Sequence, residues 1–195
     1  MKAMKSSSCC TLLLLGTLAA CVATPAAPPE EAAPKIVALL VAGKDEDAAA
    51  LFASELGEPG ARDALYPLLF EQARTRFERG EAHESAAILR LMGHGYPKSI
   101  AVRESLVYAL FLERAANASA APELVQELGA VIASLRKDGA EVPQWVDLAQ
   151  SQQAIDRGDV GAAREAFARF EAHKDTPPEL TLYVEDIDRY LKSHP

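Results

Sequence analysis

Apolar side chains recur along this chain with the period of a helix. Leu124, Leu128, Val131, Ile132 and Leu135 fall at 0, +4, +7, +8 and +11, which places all five on one stripe of a helical surface. Leu180, Val184, Ile187 and Leu191 repeat the pattern near the C-terminus, as do Ser85, Ile88, Leu89 and Met92 between two glycine-bearing breaks. No stretch alternates β-branched and polar residues with period two, so no strand is expected. Pro34, Pro122, Pro143 and Pro178 sit where a first-turn proline is tolerated, and Gly43, Gly80, Gly139 and Gly158 sit where helices can end. Periodicity and punctuation together predict helices over 35–42, 45–56, 61–79, 82–93, 99–116, 121–137, 144–157, 160–173 and 179–192. The expected fold class is all-α, built of short antiparallel hairpins.

The N-terminus follows a different pattern. Lys2 and Lys5 precede the apolar run Leu12-Leu13-Leu14-Leu15, and small residues follow up to Cys21, which is the anatomy of an export signal. The run falls well short of the ~20 apolar residues that a membrane-spanning helix needs. Leu18-Ala19-Ala20-Cys21 resembles the lipobox of bacterial lipoproteins. That resemblance implies that the Cys21 thiol is acylated and that Cys21 becomes the first residue of the mature chain; an ordinary, non-lipid signal peptide is the alternative. Attachment gains ~0.8 kcal/mol per buried CH₂, so the several acyl chains of a lipoprotein would anchor it stably. Val22 and Ala23, rather than Asp, follow the cysteine, which by the sorting rule of that family implies the outer membrane, with the folded part facing the periplasm.

Behind Cys21, Pro25, Pro28, Pro29 and Pro34 are interspersed among alanines. Such a segment reads as an extended tether that cannot propagate a helix. The expected organisation is therefore a signal peptide over 1–20, a lipid-anchored tether over 21–34 and a helical domain over 35–195.

Composition narrows the partners. The formal charge is −8, and loss of Lys2 and Lys5 with the signal would leave 18 basic against 28 acidic residues, or −10. Clustered Lys and Arg are missing, so no nucleic-acid partner is indicated. Cys9 and Cys10 would leave with the signal and Cys21 would carry lipid, so the domain has no cysteine for a disulfide or a metal.

Three turns share a local pattern. Gly43, Gly80 and Gly158 are each followed by a small residue five positions later (Ala48, Ser85, Ala163) and a large apolar one nine later (Phe52, Leu89, Phe167). Glycine permits the tight turn, the small residue lets the second helix approach the first, and the large one fills the space between them. With Arg79-Gly80-Glu81, Arg157-Gly158-Asp159 and the closing Pro97, this resembles the tetratricopeptide repeat. The resemblance implies a right-handed α-solenoid of helix hairpins covering about 35–173, with 179–192 as a capping helix. Departures are plain: Ala154 stands at the family's Tyr position, the spacings between the glycines exceed the family's unit, and 99–137 has no matching turn. An irregular helical bundle whose turns use glycine is the other architecture compatible with the pattern.

Candidate chemistry is sparse. His83, His94, His173 and His194 occupy no metal-ligand spacing and read as surface residues, and no nucleophile elbow or phosphate-cradling loop is present. Gly93-His94-Gly95 lacks the neighbouring strand and lysine of such a loop, and Lys44-Asp45-Glu46-Asp47 fits a helix start rather than a calcium loop. Neither a catalytic residue, a metal nor a cofactor is expected.

The repeat register places Phe70, Arg74 and Phe77, and then Trp145, Leu148, Gln152 and Asp156, on an inner face. Aromatic and Arg side chains are the usual interface anchors, which makes Phe70, Arg74, Phe77, Trp145, Gln152 and Asp156 the candidate partner-binding residues. The expectation is a lipoprotein adaptor or scaffold for other envelope proteins, in a secretion, pilus, motility or assembly apparatus. A binder of a small molecule or peptidoglycan fragment, or a regulator of a cell-wall enzyme, is the first alternative; an enzyme with scattered catalytic residues is the second.

Overall fold

The computed structural model describes residues 28–116, 122–139, 142–173, 176 and 178–195. The expected signal peptide, Cys21 and most of the expected tether lie outside the described residues. Within them the chain is helical, with no strand: α1 (Pro29–Val41), α2 (Asp45–Leu56), α3 (Ala61–Glu78), α4 (Ala82–Gly95), α5 (Ile100–Ala116), α6 (Pro122–Lys137), α7 (Gln144–Asp156), α8 (Val160–Glu171), a 3₁₀ turn (Pro178–Leu180) and α9 (Thr181–Ser193).

Two boundaries correct the sequence reading. The first helix begins at Pro29 rather than 35, so the end of the expected tether belongs to the fold. Ala32 and Ala33 are in phase with Ile36 and Val37, and all four are buried. Pro34 lies on the exposed side of α1, where it forfeits one ladder hydrogen bond, to the Glu30 carbonyl, and the buried stripe outweighs that loss. At the other boundary α4 runs through Gly93-His94-Gly95 to its end. Gly95 is needed there because a Cβ would come within 2.5 Å of the Phe52 ring.

Consecutive helices pack on one another, giving the hairpins α1–α2, α3–α4, α5–α6 and α7–α8. The first helices also meet across hairpins, α1 on α3 and α5 on α7, while α9 rests on α7 and α8. One apolar core runs through all of them, from Ala32 to Leu191.

The turns after α1, α3 and α7 have the same geometry. Gly43, Gly80 and Gly158 adopt φ of 68°, 78° and 75°, a left-handed conformation open to glycine and strained for other residues. Each glycine N–H bonds the carbonyl three residues back, and the next N–H bonds the carbonyl five back: Gly43 to Leu40 and Lys44 to Leu39, Gly80 to Phe77 and Glu81 to Arg76, Gly158 to Ile155 and Asp159 to Ala154. This is the Schellman termination, which satisfies carbonyls that a helix end leaves unpaired. In each case the next helix starts two residues after the glycine.

The equivalence extends into the packing. Seven residues before and five after each glycine stand Ile36 and Ala48, Ala73 and Ser85, and Ser151 and Ala163, all buried. In α3–α4 the Ser85 hydroxyl donates to the Ala73 carbonyl at 2.9 Å. In α7–α8 the roles are exchanged: Ser151, on the first helix, donates to the Ala163 carbonyl at 2.9 Å.

Candidate functional site

Four of the six partner-binding candidates come together. Phe70, Arg74 and Phe77 of α3 and Trp145 of α7 line one groove of about 170 Å³, joined by Tyr108 and Ser105 of α5 and by Leu89. The rings form a row across three helices: Phe77 lies 4.9 Å from Tyr108, and Tyr108 5.6 Å from Trp145, centroid to centroid. Tyr66 stacks on Phe70 at 5.8 Å and extends the row along α3. These aromatic side chains are only half-buried. The Trp145 indole N–H is nevertheless shielded and has no hydrogen-bond acceptor, an arrangement that typically costs about 1–3 kcal/mol.

Arg74 forms the exposed rim. Its guanidinium donates to Glu71 at 2.7 and 3.0 Å and to Glu78 at 3.2 Å, all on its own helix. The hydrogen bond from Arg74 holds the Glu71 carboxyl below the usual carboxylate range, and Glu71 raises Arg74 in turn. A partner carboxylate approaching Arg74 therefore competes with two acidic residues already in place.

Gln152 and Asp156 do not line this groove. Arg114 of α5 grips Asp156 through two bonds of 2.5 and 2.8 Å, and the Gln152 amide donates to Asp156 at 3.0 Å. Leu148 is fully buried in the core.

Asp156 instead borders a second, larger cleft of about 730 Å³ between α6 and α7, which sequence reasoning missed. Its α6 wall is largely apolar, with Val125, Gly129, Ile132 and Ala133, and its α7 wall carries Gln150, Gln153, Asp156 and Arg157. Arg114 and Arg136 also line it. Gly129 lies within α6, where glycine costs up to about 1 kcal/mol relative to alanine. A Cβ at that position would sit 2.5 Å from Gln153 Nε2, so the glycine makes room for that amide. The visible signal was this glycine in the middle of an otherwise regular apolar stripe; its counterpart on α7 is not deducible from spacing.

On α7, Asp147 is 4% exposed, and its carboxylate accepts from Arg136 of α6 and, at 2.9 Å, from Arg169 of α8. His173 approaches the same carboxylate at 4.0 Å. The other histidines are on the surface: the His83 ring meets Glu113 at 2.7 Å, and the His194 ring stacks on Tyr190 at 4.1 Å. Among the described residues no cluster of His, Cys, Asp or Glu could hold a metal ion, and no helix is long and apolar enough to cross a membrane.

No protein-family model, curated protein or solved structure matches the chain.

Proposed function

We propose that this protein is an outer-membrane lipoprotein, held by acyl groups on Cys21, whose helical array works in the periplasm as an adaptor that docks another envelope protein. The observation that carries the reading is the aromatic groove, where Phe70, Phe77, Tyr108 and Trp145 of three successive first helices offer half-buried rings to one surface. Large rings of this kind, with an Arg at the rim, are the side chains that dominate protein interfaces. The array is read as a right-handed, tetratricopeptide-like solenoid, a reading supported by three glycine turns of the same geometry at corresponding places in three hairpins. The adaptor has no catalytic role and no cofactor in this account.

Two measurements test it. Fractionation of cells expressing Cys21→Ala should move the protein from membranes to the soluble fraction and abolish labelling by a fatty-acid analogue; a variant that stays with the membrane refutes the anchor. Capture from solubilised membranes, with Cys21 intact, should return a partner whose affinity falls by about 2 kcal/mol, or roughly thirtyfold, in Trp145→Ala. Undiminished capture by a folded Trp145→Ala protein refutes the groove as the docking site.

A further inference from the structure

We infer that the cleft between α6 and α7 is a second binding site, for an extended peptide segment that carries a carboxylate, and that Gln153 recognises its main chain. This inference is independent of the lipid anchor and of the aromatic groove.

Gln153 is only 6% exposed and lines the cleft; among the described residues its amide has no hydrogen-bond partner, and its polar atoms are open to the cleft rather than sealed off. The amide thus keeps its bonding capacity free at the cleft, and the chain keeps a glycine within α6 to accommodate it. One locally unfavourable choice, the mid-helix glycine, thus makes room for a free amide at the edge of an open cleft. A primary amide presents one donor and one acceptor side by side, which complements the C=O and N–H that a single residue of an extended chain turns to the same side.

The rest of the cleft fits the remainder of such a ligand. Val125, Ile132 and Ala133 offer an apolar wall for its side chains. From Val125 to Arg136 the helix axis advances about 16 Å, the reach of about five extended residues. Charge supplies the sign. The chain as a whole is acidic, yet Arg114, Arg136 and Arg157 flank this cleft against one lining carboxylate, Asp156; Arg114 is held by Asp156 and Arg136 by Asp147, while the exposed Arg157 makes no ion pair among the described residues. Arg157 can therefore take a ligand carboxylate without giving up a carboxylate of its own.

The test uses the folded domain labelled with ¹⁵N and two pools of N-acetylated, C-amidated hexapeptides, randomised over uncharged residues except for one fixed residue, Glu in one pool and Lys in the other. The Glu pool should shift the Gln153 side-chain amide resonances and the Lys pool should not. Gln153→Met should weaken binding of the Glu pool by about tenfold or more while leaving the thermal midpoint unchanged, because the amide it removes bonds none of the described residues. Arg157→Ala should weaken it with the fold unaltered. Gln153 resonances that stay put at millimolar peptide, that respond equally to both pools, or that move on concentrating the protein alone, as a second copy in the cleft would cause, each overturn the inference. So does a Gln153→Met protein that melts several degrees lower, which would assign the amide to packing.

Discussion

Glu104 shows how a single side chain sets a pH response. Burial pushes its carboxyl above the usual range, and the neighbouring Arg103 pulls it only part of the way back. The folded state thus holds the Glu104 proton more tightly than the unfolded chain does. Protonation in the carboxylate range favours the fold at this position, and the ionised form at neutral pH works against it. Glu104→Gln should therefore raise the thermal midpoint at pH 7, with the gain shrinking as the pH falls into the carboxylate range; a constant offset across that range would rule out this origin. Individual residues were also where sequence reasoning was weakest. Asp156 was placed on an inner face by its register, but its fate is decided by Arg114, 42 positions away, and no local spacing encodes that meeting. Trp145 and Phe77 were legible because a helical register and residue type suffice to find them. Tyr108, which joins the two rings, was not, because its hairpin lacks the turn that fixed the register elsewhere.

At the scale of the helix and the hairpin, the chain was largely readable. Helix periods of apolar residues located each helix, and three glycines located three turns, since a Schellman ending needs a left-handed residue and glycine supplies it. The start of α1 was misread because four prolines outweighed the phase of Ala32 and Ala33, whose small side chains contribute little to a hydrophobic pattern yet pack closely. The exchanged Ser/Ala pairs make a sharper point about hairpin packing. Ser151→Ala removes a buried hydroxyl bond to Ala163 and should cost about 1 kcal/mol. The double substitution Ser151→Ala, Ala163→Ser recreates in α7–α8 the arrangement that Ser85 and Ala73 already have in α3–α4. It should recover most of the loss, as read from denaturant midpoints. Additive destabilisation by the two changes would show that the hairpins are not interchangeable at this position.

Across the whole molecule, arginines tie one hairpin to the next. Arg90 of α4 holds Glu127 of α6 at 2.7 and 2.8 Å, Arg114 of α5 holds Asp156 of α7, and Arg164 of α8 donates to the Leu191 and His194 carbonyls at the end of α9, each at 2.6 Å. Asp147 is the densest of these junctions, because one carboxylate joins α6, α7 and α8. Asp147→Asn leaves Arg136 and Arg169 facing each other without their shared counter-charge. It should cost about 1.5 kcal/mol, the worth of a charge-assisted hydrogen bond, because both arginines are part-exposed and water screens their repulsion. A thermal midpoint within a degree of the parent would mean that solvent replaces the carboxylate fully. None of these links could be read from the sequence, where an arginine names no partner.

The order of helix packing has a kinetic side. Because each helix from α1 to α8 finds its main partner in a neighbour along the chain, the loops to be closed are short and the search for contacts is brief. Folding of the described helices should accordingly be fast, since these residues hold neither strands to match nor cysteines to pair. A polypeptide emerging N-terminus first could finish one hairpin and offer its flank to the next before the last residues arrive.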